Sequence, residues 1–225
     1  MKKITNYIQE KLNLSARKYT CKPKDKKELE NIIEERLEKD KNANLNDIDV
    51  SGITDMSGLF TELDPNNIDI SEWDVSNVKD MSWMFSDCKK FNSDLSEWNV
   101  SNVENMRNMF NNCTKFNSDL NDWDVSKVKT MRDMFFGCFE FNSDLSDWNV
   151  SEVTDLWAMF YRCENFNSDL SNWDISNVIT MGYMFAYCEK FNCDLSDWDV
   201  SNVDATDYVF YRCTSLKNKP SWYKE

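Results

Sequence analysis

Trp73-Asp74-Val75-Ser76-Asn77-Val78-Lys79-Asp80-Met81-Ser82-Trp83-Met84-Phe85-Ser86-Asp87-Cys88-Lys89-Lys90-Phe91-Asn92-Ser93-Asp94-Leu95-Ser96-Glu97 is followed at Trp98 by a near copy of itself. Trp recurs every 25 residues as Trp98, Trp123, Trp148, Trp173 and Trp198, with Phe as Phe85, Phe110, Phe135, Phe160, Phe185 and Phe210 in the same register. Cys keeps step as Cys88, Cys113, Cys138, Cys163, Cys188 and Cys213. A degenerate earlier copy runs through Ile48, Val50, Ile53, Met56, Leu59, Phe60 and Leu63. A fixed period of this length marks a repeat architecture in which each unit buries its apolar side against the next.

Two shorter periods lie inside the unit. Trp73 and Val75 alternate with Asp74 and Ser76, the pattern of a short half-buried strand. Met81, Met84, Phe85 and Cys88 follow at the i, i+3, i+4, i+7 spacing of a helical stripe. Before that stripe stand Asp55, Asp80, Asn105, Thr130, Asp155 and Thr180, side chains suited to a helix N-cap. The predicted fold is an α/β repeat: a right-handed, leucine-rich-repeat-like solenoid of about seven 25-residue coils with an α-helical N-terminal cap. Residues 1–44 read as the helical cap region, 45–216 as the solenoid and 217–225 as a C-terminal cap. Within the first segment, 26–39 (Leu29, Ile32, Ile33, Leu37) and 3–14 (Ile4, Tyr7, Ile8, Leu12) are amphipathic.

The spacing Leu95-x-x-Trp98-x-Val100-x-x-Val103 matches the leucine-rich-repeat frame. The wording Trp-Asp-Val-Ser-Asn-Val, Met-x-x-Met-Phe-x-x-Cys and Phe-Asn-x-Asp-Leu-Ser resembles the short repeats of BspA-like bacterial surface proteins, over about residues 48–216. That resemblance implies a curved solenoid used for adhesion or protein binding, in bacteria or their phages, and a place at the cell surface. No secretory signal is read in the first residues, where charges interrupt any apolar run, so a cytoplasmic or virion-associated location is the expectation from the residues themselves.

The 225 residues carry a net charge of −14, unevenly spread. Residues 1–44 hold 12 Lys/Arg against 8 Asp/Glu, net +4, leaving 14 against 32, net −18, for 45–225. An acidic body repels nucleic acid, so a cationic protein is the expected partner, and no membrane insertion is expected. Eight cysteines in a chain without a read export signal suggest free thiols. Zinc is not expected, because no C-x-x-C pair and no His is present.

Columns that hold one residue type in every copy are architectural, whereas columns that vary are free to carry specificity. The variable columns drift toward Phe136, Phe139, Trp157, Tyr161, Arg162, Tyr183, Tyr187, Tyr208, Tyr211 and Arg212 in the later copies. Tyr, Trp and Arg dominate interface hot spots, so these form the candidate partner-binding patch; the bland alternative is that the rings fold over the coil edge and complete local packing. The second candidate is an acidic strand face of Glu72, Asp74, Glu97, Asp122, Asp124, Asp147, Asp174, Asp197 and Asp199. A further file, Asp69, Asp94, Asp119, Asp144, Asp169 and Asp194, reads as turn chemistry. Carboxylates at coil spacing leave calcium open, without a glycine-rich calcium loop to support it. No catalytic residue, no metal site and no cofactor is predicted; with no His and four dispersed glycines, neither an imidazole triad nor a phosphate loop can be built. The expected function is a non-catalytic protein-binding repeat module. A structural or assembly component of a surface layer or phage particle, through self-association, and a glycan-binding adhesin are the alternatives.

Overall fold

The computed structural model describes residues 19–61 and 63–224; the amphipathic 3–14 segment lies outside them. One α-helix is present among these residues, α1 (Lys26–Lys39). Asp25 caps it, its side chain accepting from Glu28 N at 2.9 Å, while Glu28 accepts from Lys24 N at 3.0 Å. Leu29, Ile33 and Leu37, one per turn on one face, are buried in the common core.

The repeat units contain no α-helix and no strand among the described residues, and no sheet is formed. This corrects the predicted α/β, leucine-rich-repeat-like right-handed solenoid. Each unit is a succession of tight turns, joined to its neighbours at isolated parallel bridges: Asp55–Asp80, Asp80–Asn105, Asn105–Thr130, Thr130–Asp155, Asp155–Thr180 and Thr180–Ala205. The column expected to cap helices is therefore the bridge column. Its side chains cap turns instead, Asp80 Oδ1 accepting from Ser82 N at 2.8 Å and Asp155 Oδ1 from Trp157 N at 3.0 Å.

The reason the stripe is not helical lies in the backbone. Trp83 and Asp87 have φ of 62° and 63°, and their equivalents Asn108, Asn112, Asp133, Ala158, Arg162, Tyr183, Tyr187, Tyr208 and Arg212 are also left-handed. A left-handed residue at every fourth position breaks an α-helix and closes β-turns instead, as in Met84 N to Met81 O (3.2 Å) and Cys88 N to Phe85 O (3.0 Å). The expected strand fails for a related reason: Trp73-Asp74-Val75 is hemmed between turns closed by Trp73 N to Ile70 O and Val78 N to Val75 O.

The helical N-terminal cap is corrected as well. The segments on either side of α1 join the array laterally, Cys21 bridging Ile48 and Asn44 bridging Asp69. The helix is thus the long arm of a leading unit, in line with the others, and not a lid laid over them. At the far end Trp222 continues the Trp column, 6.4 Å from Trp198 by ring centroid.

The alternation and stripe nonetheless mark what is buried. Trp73, Val75, Val78, Met81, Met84, Phe85, Cys88, Phe91 and Leu95 and their equivalents make one continuous core. Phe85 stacks on Phe110 at 5.5 Å and Trp73 on Trp98 at 6.4 Å, each nearly parallel. The indole and thiol groups of the core find partners across units, whereas the buried Ser86 hydroxyl has none among the described residues. From Trp73 to Trp198 each indole N–H of the repeating column donates to a carbonyl 28 residues back, as in Trp148 Nε1 to Leu120 O at 2.9 Å. Each core thiol does likewise, as in Cys138 Sγ to Phe110 O at 3.0 Å. Burial drives these thiols well above the ordinary cysteine range, so they remain protonated donors.

Candidate functional site: an aromatic face on the later units

The backbone that builds this face is the ladder between units. Met131, Asp133, Phe135 and Gly137 donate their N–H groups to Asp155, Trp157, Met159 and Tyr161, and the same four bonds recur from 156–162 to 180–186 and from 181–187 to 205–211. Up to Tyr187, the N–H groups of the left-handed residues are thus fixed in the ladder, whatever side chain they carry. They recur twice per unit, in two columns.

Eight of the ten residues of the expected patch form one connected set there, with Phe139 and Arg162 paired beside it. Phe136 stacks on Tyr161 at 4.6 Å, and Tyr161 meets Tyr183 at 6.4 Å and Tyr187 edge-on at 5.4 Å. Tyr183 meets Trp157 at 5.5 Å and stacks on Tyr208 at 5.1 Å. Tyr211 then joins Tyr187 at 5.4 Å and Tyr208 at 5.8 Å. Arg212 lies over both Tyr187 (5.6 Å) and Tyr211 (5.7 Å), and Arg162 over Phe139 (5.4 Å). Exposure rises along the array: Phe136, Phe139, Trp157, Tyr161, Tyr183 and Tyr187 are half-buried, while Tyr208 and Tyr211 are 53% and 41% exposed. Arg162 and Arg212 are exposed.

Three participants were not singled out as site residues in the sequence. Arg132 lies over the Trp157 ring at 5.3 Å and approaches Asp133 at 3.5 Å. Burial pushes the Asp133 carboxyl up against the pull of Arg132 and Arg107. Gly182 supports the Trp157 ring from beneath: a Cβ built there would fall 2.5 Å from its Cζ3. The signal for that was a glycine opposite a Trp one period away. Trp83, 43% exposed with φ of 62°, occupies the same column in an early unit.

The acidic residues separate into two groups. Asp74, Asp124, Asp174 and Asp199 accept from the backbone N–H two residues on, at 3.0–3.1 Å, as do Asp94, Asp119, Asp144, Asp169 and Asp194. Both files therefore close turns. The hydrogen bonds of Ser176 on Asp174 and of Ser201 on Asp199 hold these carboxyls below the ordinary range. Glu72, Glu97, Asp122, Asp147 and Asp197 are exposed alongside them. The carboxylates are not gathered: among the described residues no group of three or more His, Cys, Asp or Glu side chains is placed to hold a metal. No helix among the described residues is long and apolar enough to cross a membrane.

The family model described as "Mycoplasma protein of unknown function, DUF285" matches residues 27–148 and again 131–224. Neither the curated proteins nor the solved structures yield a match. The two matched stretches each span several 25-residue units and overlap, as a repeated sequence requires, and together they take in most of the chain, which therefore belongs to the DUF285 family.

Proposed function

We propose that this protein is a non-catalytic, protein-binding repeat module whose partner docks on the aromatic face of units 131–212. The observation that carries the reading is the backbone under the rings. Tyr183, Tyr187 and Tyr208 have φ between 55° and 64°, a region that tyrosine occupies at a cost and that Asn, Asp or Gly fill more easily. Earlier units put Asn108, Asn112, Asp133 and Gly137 in these two columns. Large rings kept where folding disfavours them, on a solvent-facing side, mark an interaction surface. Flanking Arg162 and Arg212 add the residue type most often found beside such rings in interfaces. The likeness of the repeat wording to BspA-like surface proteins favours an adhesive role for that surface.

A displayed random-peptide library, selected on the 225-residue chain, tests this. Selected peptides are expected to lose binding at least tenfold when Trp157, Tyr161, Tyr183 and Tyr187 are all changed to Ser, and to keep it when Glu97, Asp122 and Asp147 are changed to the corresponding amides. The opposite pattern moves the binding surface to the acidic face. Concentration-dependent self-association lost in the quadruple variant replaces this reading by assembly.

A further inference from the structure

From each bridge residue onward the backbone hydrogen bonds between units run one way, while the residue before it donates back, as in Lys79 N to Thr54 O and Glu104 N to Lys79 O. Met81, Trp83, Phe85 and Asp87 donate to Asn105, Arg107, Met109 and Asn111, and at each later junction the earlier unit again supplies the N–H and the later one the carbonyl. An ordinary parallel ladder alternates donors and acceptors in both directions. The one-way stretch leaves unit 55–60 with a run of carbonyls on the side of α1. The carbonyls of Asp80, Ser82 and Met84 take N–H groups from Met56, Gly58 and Phe60; their equivalents one unit earlier, at Asp55, Ser57 and Leu59, accept no hydrogen bond among the described residues.

That edge borders a groove of about 580 Å³ between α1 and segment 57–63, lined by Lys27, Glu30, Glu34, Ser57, Leu59 and Trp83 among others. Lys27 is engaged with Glu30 at 3.3 Å, which leaves Glu34 as the carboxylate without an ion-pair partner among the described residues. The exposed Trp83 indole offers a ring face to a cation. Two ammonium groups already lie beside this segment: Lys26 Nζ donates to the Ser57 hydroxyl at 2.6 Å, and Lys41 donates to the Leu63 carbonyl.

We infer that this groove binds an extended basic peptide segment of a partner protein. The peptide's N–H groups fall to the carbonyls of Ser57 and Leu59, as strand addition supplies them at any open edge. Its Lys or Arg side chain lies between the Glu34 carboxylate and the Trp83 ring. The site goes beyond the aromatic face, which it does not share.

The test uses a fluorescent nine-residue peptide alternating Lys and Val, with a Glu-for-Lys peptide as control, and reads anisotropy against the full chain. Saturable binding of the basic peptide only is expected, weakening as salt is raised. Glu34→Gln combined with Trp83→Asn is expected to weaken it at least tenfold. Asn108 holds the equivalent of Trp83 with φ of 56°, so that change suits the backbone; Glu34 is exposed on α1. Should the double variant fail to fold, Glu34→Gln alone is expected to weaken binding about threefold, and N-methylation of alternate peptide amides tests the carbonyl edge without touching the protein. The Ser quadruple variant of the aromatic face is expected to bind the basic peptide unchanged. Absence of saturable binding, equal binding of the Glu peptide, indifference to Glu34 and Trp83, or loss in the aromatic-face variant instead would each overturn the inference.

Discussion

Exchanging Asn and Arg in opposite directions within one column tests whether backbone geometry, and not side-chain contact, governs residue choice there. Asn112 and Arg162 occupy equivalent positions two units apart, with φ of 59° and 60°. Each donates its N–H to the next unit, Asn112 to Phe136 O at 2.6 Å and Arg162 to Ala186 O at 2.8 Å, so neither backbone can relax without losing a ladder bond. Left-handed geometry costs an ordinary L-residue about 1–2 kcal/mol, much of which Asn avoids through its short polar side chain. Asn112→Arg incurs about 1 kcal/mol of that cost and also loses the Asn112 Nδ2 to Asp87 Oδ1 bond of 3.0 Å. A bond of that kind contributes about 0.5–1.5 kcal/mol. The sum is near 2 kcal/mol, which for a chain of this size lowers Tm by about 4–8 °C. Arg162→Asn gains about 1 kcal/mol from the backbone and gives up an exposed guanidinium–ring contact worth about 0.5–1 kcal/mol, leaving Tm unchanged or raised by up to about 2 °C. Thermal melts followed by both circular dichroism and tryptophan fluorescence supply the measurement, two probes being needed because repeat arrays depart from two-state behaviour. If Arg162→Asn lowers Tm as far as Asn112→Arg does, the left-handed backbone is not what selects residues in this column.

Gly137→Ala should be costly for two reasons at once, φ of 71° and a Cβ 2.7 Å from Asn112 Oδ1, and a melt that does not shift downward contradicts both. Cys138→Ala removes a buried donor to Phe110 O and leaves a void; a loss of about 1–3 kcal/mol in a denaturant titration is expected. Thiol labelling of the native protein should reach Cys21 and Cys193 first, with half-buried Cys213, its pKa pushed up to about 12 by burial, reacting more slowly and the five buried cysteines only on unfolding. Hydrogen bonds from Ser96, Ser146, Ser196 and Ser201 depress the pKa of Asp94, Asp144, Asp194 and Asp199 in the folded chain. Depressed carboxyls contribute stability that is complete above their unfolded pKa, near 4, and lost as pH falls through the folded values. Tm should therefore hold steady from pH 7 to about 5 and drop steadily below about 4; a flat profile to pH 3 would show these turn bonds to be energetically silent.

The columns of the core were legible because burial is imposed equally in each unit: Trp, Met, Phe and Cys meet the same neighbours on both sides, so the sequence must repeat. The turn Asp residues were legible because Asn-Ser-Asp and Asp-x-Ser pairs close turns by local bonds that need no tertiary context. The conformation between them was misread. Met81, Met84, Phe85 and Cys88 satisfy a helical stripe, but two successive turns with left-handed residues at Trp83 and Asp87 bury the same four side chains. The clue was present in Gly58, Asn108 and Asp133 in one column and Asp87, Asn112 and Gly137 in the other, residue types that favour positive φ. Trp83, Ala158, Arg162 and the tyrosines obscured it, since none of them advertises that geometry.

Those obscuring residues say where the array is free to differ from unit to unit. Up to Tyr187, a left-handed residue in these columns is held by the N–H bond it makes to the next unit, so its backbone is set by the ladder, while the surroundings of its side chain differ from unit to unit, Asn108 and Ala158 being buried and Tyr208 exposed. Met, Phe and Cys in the core have the reverse condition: their side chains touch equivalents on both sides, and a change in one unit propagates to its neighbours. Substitution in the left-handed columns therefore carries a backbone cost of about 1–2 kcal/mol for an ordinary residue, to which any local clash adds, as between Gly137 and Asn112. A repeat protein can thus place a recognition surface on these columns one unit at a time without retuning the core. The drift from Asn, Asp and Gly to Tyr and Arg along this chain follows that route, with the cost concentrated where the rings gather.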